Sequence, residues 1–210
     1  MNDKRLDFPS TRRNADPIAQ VLKSVLPNTP CMVLEIAAGS GQHGVHFCHE
    51  IPNLIWWPTD IDPDHIVSIN AWRAHKGMTD QIHEAQRLNV CSAPWQEGIK
   101  QKSWPPAFDA IININMIHIS PWEATLGLLK GAAQHLRSGG VMMLYGPYKI
   151  DGKNTAPSNA DFDVSLRSRN QDWGVRNLDE VAAAGRAQGL ALRTTIPMPA
   201  NNFSLVFERV

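Results

Sequence analysis

The sequence predicts an α/β protein folded as a three-layer α/β/α sandwich, and three observations carry this prediction. An apolar run, a turn of small residues and a helical pattern follow one another over Val33–Gly44, which is typical of a strand, turn and helix at a ligand site. Phe108–His118 is apolar almost throughout, as expected for a strand covered on both faces. The strand-like runs 191–196 and 203–210 are joined so closely that they must pair as an antiparallel hairpin. The parallel sheet therefore closes with a reversed strand.

The first elements are placed by apolar periodicity and by capping residues. Residues 1–30 are predicted to form an N-terminal arm and a helix that begins at Asp16-Pro17. Arg13 and Asn14 then belong either to a solvated arm or to a lid across the ligand site. After the glycine turn the sequence predicts a helix to about Glu50, a strand Leu54–Asp62 and a helix Asp64–Lys76 capped by Asp62.

The later elements follow from the same signals. Gln86–Cys91 is a candidate third strand, and Val141–Tyr145 is another buried strand. Two further helices are predicted, Leu126–Leu136 and Leu178–Gln188. Between them, 146–177 is polar and rich in turns, and a stretch this long with little regular patterning is often functional. We expect it to form a substrate lid within a single domain of residues 1–210.

Composition excludes several classes of protein. Basic and acidic side chains balance at 20 each, so the sequence shows no electrostatic footprint for nucleic acid. The three cysteines lack metal-binding or C-x-x-C spacing, which is typical of reduced thiols. The N-terminus has no apolar signal-peptide segment, and no apolar run is long enough to span a bilayer. We therefore expect a cytoplasmic protein that binds a small molecule, with no metal, nucleic acid or membrane partner.

Two ligands compete for the glycine turn. Gly39, Gly41 and Gly44 fit the dinucleotide fingerprint G-x-G-x-x-G, and Asp60 follows about 20 residues later, as that fingerprint requires. S-adenosylmethionine carries no phosphate and needs carboxylates beside its amino-acid end and its ribose hydroxyls. Glu35, just before the turn, repels a pyrophosphate but suits an ammonium group. We favour S-adenosylmethionine and keep open an NAD(P)-dependent oxidoreductase and a non-catalytic S-adenosylmethionine-binding module.

Side chains at the predicted carboxyl ends of the strands complete the candidate site. Asp60 is assigned to the ribose, with Asp62 as the alternative, and Asn89 is assigned to adenine. Asn115 is expected to line the methyl-transfer cleft, and His118 is a candidate general base. The whole candidate cofactor-binding set is Glu35, Ala37, Gly39, Gly41, His43, Asp60, Ile61, Asn89, Val90 and Asn115.

Several motifs resemble those of one known family. Val33–Gly41 and Thr59–Pro63 resemble motif I and the following acid of class I S-adenosylmethionine-dependent methyltransferases. Nearly the whole chain resembles one branch, the methyltransferase-like protein 26 family (domain-of-unknown-function family 938). The motifs that carry this resemblance are Arg13-Asn14 with Asp16-Pro17-Ile18, Asn115–Trp122, Gly146–Lys149, Ser158-Asn159 with Phe162-Asp163, Trp173–Arg176 and Met198–Asn202.

The resemblance implies a fold, an activity and a set of site residues. The fold is a Rossmann-like class I methyltransferase sheet of seven strands with an antiparallel last strand. The activity is methyl transfer from S-adenosylmethionine (class EC 2.1.1.-) to an unidentified small molecule. Two residues depart from the class pattern: Ala37 stands where a glycine is usual, and Asn89 replaces an acid. His118 and Tyr148 are the candidate catalytic residues, and the candidate substrate-binding set is Arg13, Asn14, His118, Tyr148, Asn159, Trp173, Arg176 and Asn201.

Overall fold

The computed structural model describes residues 3–95 and 104–210. In this part of the chain the α-helices are α1 (Pro9–Val25), α2 (Gln42–Glu50), α3 (Pro63–His75), α4 (Trp122–His135), α5 (Pro157–Arg169) and α6 (Leu178–Ala187). The strands are β1 (Cys31–Ile36), β2 (Leu54–Asp60), β3 (Gln86–Arg87), β4 (Phe108–Ile114), β5 (Leu136–Gly146), β6 (Tyr148–Ile150), β7 (Lys153–Asn154), β8 (Arg176–Asn177), β9 (Leu190–Met198) and β10 (Asn202–Arg209). None of the helices described is long and apolar enough to cross a membrane.

A seven-stranded sheet in the order β3-β2-β1-β4-β5-β10-β9 forms the centre of the molecule. The first five strands of that order pair in parallel with their neighbours. β10 is antiparallel to both β5 and β9, because the connection between β9 and β10 is too short to cross the sheet. The predicted fold class, a mostly parallel sheet that closes with a reversed strand, is confirmed.

Helices cover both faces of the sheet because neighbouring residues of a buried strand point in opposite directions. Leu34 belongs to one apolar cluster, which includes Leu128 of α4. Val33, the residue before it, belongs to the other cluster, with Ile18 of α1 and Phe47 of α2. All five side chains are fully buried. The three layers predicted from the sequence are therefore present.

The predicted start of the first helix is wrong. α1 begins at Pro9 rather than after Asp16, and Pro17 lies inside it. An internal proline removes one backbone hydrogen bond. The fully buried side chains of Ile18 and Leu22 hold the helix on the sheet and offset that loss. The part of the arm that is described therefore contributes a helical turn rather than a solvated extension.

Two strand ends also differ from the prediction. β2 ends at Asp60, and Asp62 accepts a hydrogen bond from the Asp64 amide at 2.8 Å, so its predicted capping role is confirmed. β3 contains only Gln86 and Arg87, because the chain turns away soon afterwards. Asn89 starts that turn by accepting a hydrogen bond from the Cys91 amide at 3.0 Å.

The segment 146–177 has more regular structure than its sequence suggests. It forms a small sheet in the order β7-β6-β8 and the helix α5. The buried positions of α5 are Asn159, Asp163 and Leu166, spaced as one helical face. Only one of these three residues is apolar, so a search for apolar periodicity misses the helix.

Asp163 joins the parts of this segment to one another. Its carboxylate contacts Lys149 Nζ at 2.7 Å and Arg167 Nε at 3.4 Å, and it accepts a hydrogen bond from the Val175 amide at 2.8 Å. Burial raises the pKa of Asp163, but the bonds from Lys149 and Val175 outweigh it, so the pKa lies below the ordinary value. One buried carboxylate thus connects α5 to β6 and to the chain before β8.

Asp163→Asn is expected to lower the free energy of unfolding by about 2 kcal/mol, because it removes hydrogen bonds to a charged group. Asp161→Asn, on an exposed turn of the same helix, is the matched control and is expected to change it by less than about 0.5 kcal/mol. Since the pKa of Asp163 is depressed in the folded protein, the stability difference between wild type and Asp163→Asn is fully present above about pH 4. It disappears as the pH falls through the pKa of Asp163 in the folded protein. Urea unfolding at pH 3 and pH 7 measures both effects, and equal stability of the two variants contradicts the role of Asp163.

Candidate cofactor and acceptor site

One large pocket opens at the carboxyl ends of β1, β2 and β4. Its volume is about 660 Å³, within the range of small-molecule sites. The carboxyl ends of parallel strands are where open α/β sheets bind ligands. Of the predicted cofactor-binding set, every residue except Gly41 lines this pocket.

The glycine turn between β1 and α2 forms the floor of the pocket. Ala37, Gly39 and Gly41 have φ of 57°, 59° and 86°, all in the left-handed region. At Gly41 a Cβ would lie 2.7 Å from the Cα of Ile69, so a side chain is excluded by α3 as well as by the backbone conformation. Ala37 adopts the left-handed conformation despite its side chain, a conformation that glycine adopts more readily.

Glu35 is buried at the end of β1 and lines the pocket. Its Oε2 accepts a hydrogen bond from Trp56 Nε1 at 2.8 Å. Burial raises its pKa to about 8; the Trp56 bond opposes this increase and nearby Asp60 adds to it. Gly44 leaves room for this pair, because a Cβ there would lie 2.6 Å from Trp56 Nε1. The third glycine of the fingerprint thus has a packing role.

Asp60 fixes the glycine turn to the end of β2 by hydrogen bonds to backbone amides. Its Oδ2 accepts a hydrogen bond from the Gly39 amide at 2.8 Å, and its Oδ1 accepts one from the Asp62 amide at 2.9 Å. His65 Nδ1 lies 3.2 Å from the same Oδ1 as an ion-pair contact. A carboxylate has about four lone-pair sites, so capacity remains for a ligand hydroxyl. The assignment of Asp60 to the ribose stays a prediction.

His43 lines the pocket, and Asn14 supports it from behind. His43 Nε2 and Asn14 Oδ1 are 2.9 Å apart. Burial lowers the pKa of His43 to about 3, so the ring is neutral and donates through Nε2. Arg13 is exposed and Asn14 is buried in α1. Neither residue lines the pocket, so the structure does not place them as a lid.

The segment before α1 contributes Phe8 to the pocket wall, a residue that the sequence reasoning missed. The Leu6 amide donates to Ser68 Oγ at 2.8 Å, and the Phe8 amide donates to Gln42 Oε1 at 2.8 Å. Phe8 lines the pocket, and its ring meets the His65 ring edge-on at a centroid distance of 5.7 Å. These contacts join residues far apart in the chain, so no local motif signals them.

The adenine side was assigned to the residues after β3. Asn89 and Val90 line the pocket, and Ile61 is half-exposed at its rim. The side-chain oxygen of Asn89 is already used in the turn described above. Trp95, which follows this turn, lies in the core and donates to the Val90 carbonyl at 3.2 Å.

The two candidate catalytic residues lie behind the pocket wall. His118 is 1% exposed, Tyr148 is fully buried, and their rings meet at 5.1 Å between centroids. Burial lowers the pKa of His118 to about 3, with Arg176 adding to the effect and Gly174 opposing it. Burial likewise raises the pKa of Tyr148. In this conformation neither side chain reaches the pocket, and their roles in proton transfer stay predictions.

The other substrate-side candidates are divided by the structure. Trp173 and Asn115 line the pocket, Asn115 with φ of 65° directly after β4. Arg176 instead donates to the carbonyls of Ile117 at 2.9 Å and Ser120 at 2.6 Å. Asn159 and Asn201 bind each other, through Asn159 Nδ2 and the Asn201 carbonyl at 2.9 Å. These three residues hold the segment 146–177 against its neighbours and do not line the pocket, and the role of that segment as a lid stays a prediction.

Tyr148→Phe tests the catalytic assignment without leaving a cavity. Tyr148 Oη has no hydrogen-bond partner among the described residues, so its removal is expected to leave stability unchanged or to raise it by up to about 1 kcal/mol. Tyr145→Phe is the contrasting control, because Asn14 hydrogen-bonds to that hydroxyl, and we expect a loss of about 1 kcal/mol. A methyl-transfer rate within a few-fold of wild type removes Tyr148 from catalysis, and a loss of about 100-fold supports it.

The described residues contain no group of three or more histidine, cysteine, aspartate or glutamate side chains that could hold a metal ion.

The fold is shared with several solved structures. The same fold occurs in an O-methyltransferase family protein from Burkholderia thailandensis (TM-score 0.78, 19% identity, 95% of this chain and 57% of that one). It also occurs in an O-methyltransferase family 2 protein from Planctomyces limnophilus crystallised with apigenin (0.74, 18%, 96% and 60%). Human N-acetylserotonin methyltransferase with bound S-adenosylmethionine is a third example (0.74, 12%, 95% and 52%). The chain thus has a methyltransferase fold and spans little more than half the length of these proteins.

The family follows from the sequence as a whole. The family model described as a protein of unknown function, DUF938, matches residues 5–209. The chain belongs to that family.

Proposed function

We propose that this protein is an S-adenosylmethionine-dependent methyltransferase acting on a small molecule. The charge of the pocket lining carries the proposal. Its acidic side chains are Glu35, Asp60 and Asp62, and no lysine or arginine is among the described residues that line it. These acids suit a nucleoside with a sulfonium and an ammonium group, because Glu35, largely protonated in the free protein, can give up its proton to pair with the ammonium. A pyrophosphate finds no lysine or arginine partner among the described lining residues.

The glycine turn gives a second reason to prefer this ligand over a dinucleotide. A bound pyrophosphate depends on free amide groups at the turn and at the helix start. Here the Gly39 amide already donates to Asp60, and the Gly41 amide donates to the Ala38 carbonyl at 3.1 Å. Two amides of the turn are therefore used by the protein itself, and the carboxylate of Asp60 lies beside them.

The residues present fit S-adenosylmethionine in named roles. When bound, that cofactor supplies an electrophilic methyl group on a sulfonium sulfur. Glu35 is assigned to its ammonium group, Asp60 to its ribose, and Asn89 with Val90 to its adenine. Asn115 lines the cleft on the acceptor side, and Phe8 of the pocket wall is assigned to excluding water. The protein contributes mainly by positioning two reactants.

Calorimetry separates this function from its alternatives. S-adenosylmethionine and S-adenosylhomocysteine are expected to bind one site with a dissociation constant on the order of micromolar. NADH and NADPH are expected to give no binding heat at the same concentrations. Binding of NADPH alone contradicts the proposal. Binding of S-adenosylmethionine with no turnover on a broad metabolite panel identifies a non-catalytic module instead.

Two finer assignments accompany the proposal. We propose that the chain represents the methyltransferase-like protein 26 branch, on the motifs quoted above. We also propose that it works in the cytoplasm without a membrane or nucleic acid partner. The net charge of zero and the pocket lining without lysine or arginine support the absence of a polyanionic partner.

A further inference from the structure

The acceptor end of the pocket has a composition that restricts the substrate. We call this end of the pocket the acceptor wall. It is formed by lining residues between β4 and α4 and by Trp173 of the segment 146–177. Its members are Asn115, Met116, Ile119, Ser120, Pro121 and Trp173. Most of these side chains are apolar. The inference drawn from this wall rests on the proposed function, because only a methyltransferase has a methyl acceptor.

No lysine or arginine among the described residues lines the acceptor wall. Arg176, which lies nearby, donates to the carbonyls of Ile117 and Ser120. Lys149 and Arg167 are paired with Asp163. Arg169 packs on the Trp173 ring at 5.6 Å and lies outside the pocket lining. A carboxylate or phosphate on the acceptor, away from the reacting atom, would therefore lack the partner that a buried charge requires, whereas an anionic nucleophile lies beside the sulfonium of the methyl donor.

The acceptor wall also lacks a proton acceptor. Its polar side chains are the Asn115 amide and the Ser120 hydroxyl, and Ser120 Oγ already donates to the Met116 carbonyl at 2.9 Å. His118 and Tyr148 lie behind the wall. The titratable side chains that do line the pocket come from the segments after β1, β2 and β3: Glu35, His43, Asp60, Asp62, His65 and Cys91.

Of the two histidines that line the pocket, His43 is unsuited to act as a base. His43 is held through Nε2 by Asn14, and burial lowers its pKa to about 3, so it binds a proton weakly at neutral pH. A hydroxyl acceptor such as a phenol, with a pKa of about 10, needs a base to become a good nucleophile. A thiol, with a pKa of about 8.5 or lower, supplies its own thiolate near neutral pH.

We propose that the methyl acceptor is an apolar, otherwise uncharged thiol whose sulfur ionises in solution and not on the enzyme. The thiol releases its proton to solvent before transfer. The thiolate sulfur then forms a bond to the methyl carbon while the bond from that carbon to the sulfonium sulfur breaks. The electron pair of the broken bond stays on the donor sulfur, so the products are a methyl thioether and S-adenosylhomocysteine.

A series of substituted aryl thiols tests the nature of the nucleophile. The inflection in the pH profile of kcat/KM is expected to move with the pKa of each thiol, and the matching phenols are expected to react about 100-fold more slowly. An inflection that stays fixed along the series shows a base on the enzyme and overturns the proposal. Phenols turned over as fast as thiols overturn it as well.

Variants of Trp173 test the acceptor wall through binding, apart from turnover. Calorimetry, at a pH below the thiol pKa, of an aryl thiol without other charged groups added to the protein with S-adenosylhomocysteine is expected to show about 10-fold weaker binding in Trp173→Ala, with recovery in Trp173→Phe. Phe162→Ala, at an exposed lid position outside the lining, is the control with unchanged binding. A thiol that carries a carboxylate is expected to bind at least 10-fold more weakly than the neutral one. Equal binding of the two thiols contradicts the argument from charge.

The inference and the proposed function fail in different ways. Absence of binding by S-adenosylmethionine and S-adenosylhomocysteine removes the proposed function. Binding of both, followed by methylation of amines, phenols or carboxylates but not thiols, keeps the proposed function and overturns only the thiol acceptor.

Discussion

Gly41→Ala is expected to weaken binding of S-adenosylhomocysteine by at least about 30-fold, equivalent to about 2 kcal/mol. The new Cβ would meet the Cα of Ile69 at 2.7 Å, and backbone cannot move aside as the end of a flexible side chain can. Either α3 or the first turn of α2 must shift, and both border the pocket. The left-handed φ adds about 1–2 kcal/mol of strain, so we expect the free energy of unfolding to fall by about 3 kcal/mol.

Gly77→Ala isolates the steric part of that effect. Gly77 also has a left-handed φ, of +64°, but a Cβ there would meet nothing within 4 Å. Its substitution is expected to cost only the conformational strain, about 1 kcal/mol, with ligand affinity unchanged. Calorimetry and urea unfolding of the two variants provide both quantities. If both variants bind the ligand like wild type, the close approach of α3 to the glycine turn does not support the site.

The elements predicted well are those with a complete local signal. The buried strand β4 and the Val141–Tyr145 part of β5 show as apolar runs, and Asp62 followed by Pro63 marks the start of α3. The reversed last strand follows from the length of one connection. In each case the residues that determine the structure are neighbours in the chain, so one stretch of sequence contains the physical cause.

The elements predicted poorly depend on distant contacts or on polar packing. α1 passes through Pro17 because its buried face is held by the sheet. Phe8 reaches the pocket through bonds from its segment to Gln42 and Ser68, 34 and 62 residues away. α5 buries Asp163 against Lys149, a pairing that apolar periodicity cannot register.

The candidate site also contains residues that the sequence places correctly and a residue that it does not. Glu35, Gly39 and Asp60 come together because they follow parallel strands at one edge of the sheet, which sequence order already implies. His118 also follows a strand, yet it points into the core. The left-handed residue Asn115 and a single 3-10 turn redirect the chain after β4 and bury the imidazole. A polar residue at the end of a strand can therefore belong to the packing of a motif and not to its chemistry.

Binding of S-adenosylhomocysteine is expected to vary with pH as a bell-shaped curve with its maximum above pH 8. In the free protein Glu35 has a pKa of about 8, so it is largely protonated at pH 6.5 and must lose its proton to pair with the ligand ammonium. The ligand amino group lies beside the ligand's own carboxylate, so its pKa is above that of a chain N-terminus and it loses its charge only at higher pH. The product of the two charged fractions makes affinity at pH 6.5 about 10-fold or more lower than at pH 8.

Glu35→Gln is expected to abolish the acidic limb of that curve and to keep only the decline at higher pH. The amide oxygen can still accept the Trp56 hydrogen bond, so the fold is preserved.

Without ligand, the wild-type protein binds one more proton folded than unfolded between about pH 4.5 and 8, so its stability falls as the pH rises through that window. Glu35→Gln is expected to remove that slope, and Asp80→Asn, at an exposed position outside the pocket lining, is expected to keep it. Calorimetry in buffers of different ionisation enthalpy measures the proton released on binding at pH 6.5, close to one for wild type and none for Glu35→Gln. Proton release that is equal in the two proteins shows that Glu35 does not pair with the ammonium group.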